Sequence, residues 1–387
     1  PPRARARPRR RGPRARLHKL ASSQRTQLAP MPSLGTSAGV LAAFAGGCGL
    51  ATQASMNGAL AVPLHSPLAA TAVSMAVGVV CLTITSFFSL GLVKHKPSGK
   101  PVLWWFWVAP GMIGVFFVSM GTLIGPKLGF SLYFVCIVVG QLITAVGVDH
   151  FGVLDIPKSG VTGTKITGVL IVITGAVMAV LERLSLSSSS PGTVTGLVLV
   201  SVAAGGSASV QIPITSAFTS RYGTYAHRST LLSFAVGCVI TVAIYGISVG
   251  VVDDLPKPEF KTAEWWMYVG GALGAAYVFI SVHLGPRIGV ALFFVSVVAG
   301  QLTMSLLIDS LGLLNSEQVP VTPLRVAGVV VVFLGAVAFR FLPPMECGPC
   351  GGLDAATAQG DSAPASGEHG ADGLDSPGKG DVERDLG

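Results

Sequence analysis

Amides, hydroxyls and carboxylates set inside long apolar stretches are the residues of this sequence with chemistry to offer. Gln53 and Asn57 stand four apart in "QASMN", so on a helix they share one face. Gln211 and Thr215 repeat that spacing in "QIPIT", with Pro213 between them. A proline inside a span removes a backbone hydrogen bond and kinks the helix, often beside a cavity. Gln141 and Gln301 each follow a glycine and lie 160 residues apart. Asp149 and Asp309 keep the same offset, and so do Tyr133 and Phe293.

In hydrocarbon an unpaired amide is costly, so each needs a partner or a water-filled cavity. Two readings follow for Gln53, Asn57, Gln211 and Thr215: interhelical glue, or substrate-binding groups on a pathway. Gln141 and Gln301 are read either as tight packing with an interhelical amide bond or as symmetry-related amides lining that pathway. Tyr133 adds a hydroxyl on an aromatic ring. A carboxylate at a helix C-terminus faces the negative end of the dipole, so Asp149 and Asp309 do not help their own helices. They are read as an alternating gate paired with basic residues, or as solvated turns before the helix-stopping Gly152 and Gly312.

Catalysis finds no comparable support. The sequence holds no HExxH and no paired carboxylates inside a span. No enzyme activity, metal or cofactor is expected. No charge sits at the centre of a span, so proton antiport lacks an obvious carrier, and His283 is read as interfacial. "CGPC" at Cys347 to Cys350 precedes an acidic tail; the readings are no role, juxtamembrane palmitoylation or redox chemistry. Cys48, Cys81, Cys136 and Cys238 read as small packed hydrophobes.

The elements that must position these groups are apolar helices. Half of the chain is hydrophobic and 11% is charged, where a soluble domain carries about 25% charge. Crossing the hydrocarbon takes about 20 apolar residues. Ten such spans are expected, near 38–60, 68–92, 103–123, 129–149, 164–181, 194–216, 230–252, 265–284, 288–310 and 323–342. Trp104, Trp105 and Trp107, and Trp265 with Trp266, open two of them as an interfacial belt would. Arg325 and Arg340 flank the last, where long side chains reach the headgroups.

"GPKLGFSLYFVCIVVGQL" at Gly125 returns as "GPRIGVALFFVSVVAGQL" at Gly285, with ten of eighteen positions identical. Gly168 and Gly328 keep the offset, and upstream it slips to 158 between Gln53 and Gln211. The chain therefore reads as two homologous halves of five spans, residues 35–184 and 185–345. An odd number of spans turns the second half over, giving an inverted repeat, the usual architecture of alternating-access carriers. Lys94, Lys96, Lys100, Lys158, Arg221 and Arg228 outweigh Arg183, Lys257 and Lys261 across the membrane, which puts both termini in the cytosol.

The formal charge of +8 belongs to one end: ten of the 26 Lys and Arg lie between Arg3 and Arg25. Residues 1–34 read as an over-extended gene model or a targeting or membrane-surface segment, and no nucleic-acid partner is expected. Residues 346–387 are acidic, rich in Gly, Ala and Ser, and expected to be disordered.

Two five-span halves, each with "GP(K/R)xG", "GQL" and then "VDHFG" or "IDSLG", together with "QASMN", resemble the YdcZ-like inner-membrane exporter family of the drug/metabolite transporter superfamily. The second half departs from it, with "IDSLG" lacking His and "QIPIT" standing for "QASMN". The resemblance implies an all-α integral membrane protein of ten transmembrane helices that exports a small metabolite or drug-like solute. A non-transporting scaffold or receptor is the alternative, and an intramembrane enzyme the remoter one. Its partners are the bilayer and the solute, with a homodimer left open. The expected location is the plasma or inner membrane, with an organelle membrane as the alternative.

Overall fold

A computed structural model describes residues 34–88, 97–152, 160–186, 190–251, 256–288, 290–320 and 322–341. The basic segment, the Cys347 and Cys350 pair and the acidic tail lie outside the described residues, as do the side chains of Asp149, Arg183, His283, Arg287 and Arg340.

Ten long α-helices occupy most of what is described: α1 Leu34–Ala61, α2 Pro67–Phe87, α3 Trp105–Leu128, α4 Phe130–Phe151, α5 Gly163–Leu186, α6 Pro191–Tyr222, α7 Ala226–Val251, α8 Gly270–Ile288, α9 Val290–Leu311 and α10 Pro323–Phe341. Eight contain stretches long and apolar enough to cross a membrane; the apolar stretches Trp265–Ser281 and Pro323–Phe339 are shorter. The expected eighth span is thus not one continuous α-helix, because Trp265–Val269 forms a 3-10 turn before α8 begins. The sixth is longer than expected, at 32 residues.

Local chemistry sets the ends. Ser66 caps α2 by accepting from the Ala69 N–H at 3.2 Å, with Pro67 in the first turn. Ser190 and Pro191 start α6 in the same way. Gly152 stops α4 in the left-handed region, and Gly312 follows α9 at φ 62°. The "GPKLG" corner needs no loop at all. Gly129 alone, at φ 85°, separates α3 from α4, a conformation that a side chain would strain.

The five-helix sets interleave. Helix α1 packs on α8 and α9, α6 packs on α3 and α4, α2 meets α7, and α5 meets α10. Residues Leu128 to Gly140 form a continuously buried stretch, so α4 supplies much of the core, whereas the most apolar window of α7 is only 11% buried. Lipid tails are as apolar as leucine, so close packing of small residues must hold such helices together. Gly140 on α4 lies against the Val202 carbonyl of α6, and Gly205 of α6 lies against the Ile137 carbonyl. Gly300 on α9 meets the Phe44 carbonyl of α1, and Gly47 meets that of Val297. The same crossing is built twice from residues at corresponding positions.

Adding one methyl at Gly140 would drive it into the Val202 carbonyl, whereas Gly147, seven residues along the same helix, has open space where a Cβ would stand. Gly140→Ala is therefore expected to cost about 3 kcal/mol or more by overpacking. Gly147→Ala should be neutral or gain up to about 1 kcal/mol in helix propensity. Thermal denaturation in detergent checks the contrast, and equal melting temperatures would show that this crossing is not tight.

Candidate functional site

Gln53 and Asn57 project from one face of α1, as their spacing predicts, and both are buried. Helix α8 can lie close over them because it presents glycine there. A Cβ on Gly274 would meet the Gln53 amide nitrogen and oxygen at 2.7 Å, and one on Gly270 would meet Asn57 Oδ1 at 2.5 Å. On the other side, α3 brings Phe117, Val118 and Gly121, and α4 brings Tyr133 and Phe134. Together with Leu50 and Ala54 these residues enclose a cavity of about 20 Å³, room for about one water molecule.

Two of the polar side chains around this cavity are not paired with protein. Asn57 Nδ2 and Oδ1 and the Tyr133 hydroxyl are all buried without a hydrogen-bond partner. Ser55 Oγ on α1 and Ser119 Oγ on α3 are in the same condition. Tyr133 is held edge-on against Phe134, with ring centroids 5.2 Å apart. No lining residue carries a charge. An amide and a phenol hydroxyl held unpaired here can hydrogen-bond a small molecule that replaces the missing partners, and can do little acid-base chemistry.

The matching residues of the second half do something else. Gln211 Nε2 donates to the Pro110 carbonyl at 2.8 Å and reaches Ser233 Oγ at 3.4 Å, tying α6 to α3 and α7. Thr215 donates to the Gln211 carbonyl within its own helix at 2.9 Å. Phe293, in the place of Tyr133, has no hydroxyl and packs with Ala43 and Val297. Gln211 and Thr215 therefore stand apart from the cavity. Gln141 and Gln301 also lie outside its lining, yet the side-chain carbonyl of each is buried and unpartnered. Neither makes an interhelical bond through that oxygen.

Asp309 is no solvated turn. Its Oδ1 accepts from the Phe130 N–H and its Oδ2 from the Ser131 N–H, both at 2.7 Å. Arg325 Nη2 lies 2.6 Å from Oδ2, and Arg325 Nε donates to Ser131 Oγ at 2.7 Å. The carboxylate that opposes the dipole of α9 thus caps the N-terminus of α4, where the dipole favours it. Arg325, expected to reach the headgroups, instead turns inward and is only 6% exposed. Opposite charges at the two ends of "IDSLG" and the next helix were the available signal for this pairing, but nothing in the sequence pointed at the backbone of α4. Asp149, the other proposed gate residue, has its side chain outside the described residues.

Comparison with known proteins agrees with the duplication. The family model described as "Putative inner membrane exporter, YdcZ" matches residues 38–178 and again residues 196–338. No curated protein matches the chain.

Two outcomes are expected. Asn57→Leu replaces a buried unpartnered amide, each unsatisfied group of which costs about 1–3 kcal/mol, by an apolar side chain of similar size. It should leave the melting temperature unchanged or raised while transport falls; a fall in stability would mean that the amide is bonded. Asp309→Ala strands the buried Arg325 guanidinium and uncaps α4, and should cost about 3–5 kcal/mol. Ser131→Ala should cost about 1 kcal/mol. Chemical or thermal denaturation in detergent reads both, and an Asp309→Ala effect no larger than that of Ser131→Ala would make the pair a bystander.

Proposed function

The chain belongs to the YdcZ inner membrane exporter family, and from that premise we propose that it carries a small solute outward across a membrane by alternating access. The observation that supports this most is the set of unpartnered polar atoms of Asn57 and Tyr133 in a cavity within a bundle of apolar helices. A structural polar group at this depth finds a partner in its own protein. Groups left without one have a use for a partner that comes and goes.

In this reading all ten helices span the bilayer and form two inverted repeats. Helix pairings that recur when the first five helices are exchanged for the last five support it, as does the doubled family match. Some pairings do not recur to the same extent: α1 packs on α3 and α4 on α10, while α6 with α8, and α9 with α5, do not pack comparably among the described residues. A carrier of two like halves held in one of its two end states has this kind of asymmetry. Asp149 and Asp309 are the proposed gate residues at opposite faces. Gln53, Asn57 and Tyr133 are the proposed first contacts of the solute, with Gln141 and Gln301 farther along its path. Gln211 and Thr215 serve the second half from outside the present cavity. Both termini are placed in the cytosol, in the plasma or inner membrane.

Topology gives the sharpest test. Lys127 and Arg287 occupy matching places in the two "GP(K/R)xG" corners, so inversion puts them on opposite faces. Single cysteines at 127 and 287, in a background free of the native cysteines, are expected to react with an impermeant reagent from opposite sides, Lys127 from outside. Reaction of both from one side would end the inverted reading. For transport itself, purified protein in proteoliposomes is expected to release at least one solute from a panel loaded inside; a folded, correctly inserted protein that moves none would fit the scaffold alternative.

A further inference from the structure

Building on the reading of the chain as a carrier, we propose that the polar lining of the water-sized cavity between α1, α3 and α4 selects an uncharged, flat solute when these helices part around it. That solute carries a hydrogen-bond donor next to an acceptor on an aromatic or otherwise apolar body, as amides, lactams and nucleobase edges do. We also assign this recognition to the first half of the chain alone.

Charge is decided by the lining. None of the nine residues around the cavity is ionisable in the accessible pH range except Tyr133, which serves as a neutral phenol. The buried ion pair that reaches the first turn of α4, Asp309 with Arg325, is already complete: each carboxylate oxygen and the guanidinium have partners. A solute ion in the cavity would face no counter-charge at a depth where an uncompensated ion is severely penalised.

The hydrogen-bonding edge is decided by Asn57. A carboxamide presents an N–H donor beside a carbonyl acceptor in one plane, and both atoms of Asn57 are unpartnered. The group that satisfies both at once offers an acceptor beside a donor, in the manner of an asparagine reading the edge of adenine. Tyr133 supplies one further hydroxyl contact. Shape follows from the walls: Phe117 and Phe134 bring aromatic rings to the lining, and Gly121 adds no side chain. A thin ring needs less separation of α1, α3 and α4 than a bulky body does.

Restriction to the first half rests on the counterparts. Gln211 is occupied by the Pro110 carbonyl, Thr215 by its own helix, and Phe293 lacks the hydroxyl of Tyr133. Rotation of the bundle into a mirrored state therefore does not rebuild the same contacts from the second half. Repeat symmetry supplies the motion, and one repeat supplies the specificity.

Benzamide, benzoate and benzamidinium share one flat frame and carry no charge, a negative charge and a positive charge. Saturation-transfer NMR on the full chain in detergent is expected to show benzamide binding that falls about fivefold in Asn57→Leu and about threefold in Tyr133→Phe, as loss of hydrogen bonds implies. Benzoate and benzamidinium should give signals that neither variant changes. Asn57-dependent binding of either ion above that of benzamide would overturn the solute class. Benzamide binding equal in wild type and Asn57→Leu, or absent from both, would overturn the site; Tyr133→Phe keeps the test alive should Asn57→Leu misfold. Benzamide held in an Asn57-dependent way but never released from proteoliposomes would leave the site standing and remove the carrier reading. Release of another solute that Asn57→Leu does not slow would do the reverse.

Discussion

In hydrocarbon no water completes an unmade hydrogen bond, so every polar atom at membrane depth must find its partner inside the protein. Most of this structure is an answer to that demand. Helices satisfy their own backbones. Threonines such as Thr71, Thr122, Thr219 and Thr241 return their hydroxyls to a carbonyl one turn back. Glycines at the crossings let one helix lie against the carbonyls of another without a side chain between them. Among the buried groups left without a partner, the amide of Asn57 and the hydroxyl of Tyr133 share one cavity. They make physical sense as half of an interaction whose other half arrives from outside the protein.

The Asp309 and Arg325 pair meets the same constraint by a different route. Two full charges buried in a membrane protein are tolerable only if each is neutralised and its hydrogen-bonding capacity used. Here both carboxylate oxygens accept backbone N–H bonds from the first turn of α4, and the guanidinium bridges to Ser131. The result joins the end of α9, the start of α4 and the start of α10 at one point. Because these helices come from both halves, the contact lies where any motion of one half against the other would be felt. In the other half, Lys165 stands for Arg325 and Ala291 for Ser131, so an equivalent joint there would have a point charge for a planar fork and no hydroxyl to receive it.

Duplication gives the chain its scaffold without making the halves interchangeable. The glycine crossings recur at matched positions, because a helix packed against another has few ways to come close. Polar residues diverged instead. Gln211 became a strut between α3 and α7, while Gln53 and Asn57 stayed over the glycines of α8. Helix packing has to be kept in both halves for the bundle to form, whereas the polar residues at matching positions are free to differ.

The sequence by itself determined the elements. Long uncharged stretches left helices as the only economical structure, and the 160-residue offset announced the duplication. The left-handed stops at Gly152 and Gly312 were legible too, since local steric rules govern them. The shared face of Gln53 and Asn57 followed from helical geometry alone, and the YdcZ resemblance followed from the repeated motifs. What tertiary structure decided is who partners whom. Spacing put Gln53 with Asn57 and Gln211 with Thr215 on equal terms. Only the packing of α6 against α3 and α7 satisfied Gln211, and only the glycine face of α8 left Asn57 unpaired. Asp309 likewise read as a mild liability to its own helix until the first turn of α4 was placed against it. The pairings of Gln211 with Pro110 and of Asp309 with Phe130 join residues more than a hundred positions apart, and the composition of a span holds no record of which face of which distant helix it will meet.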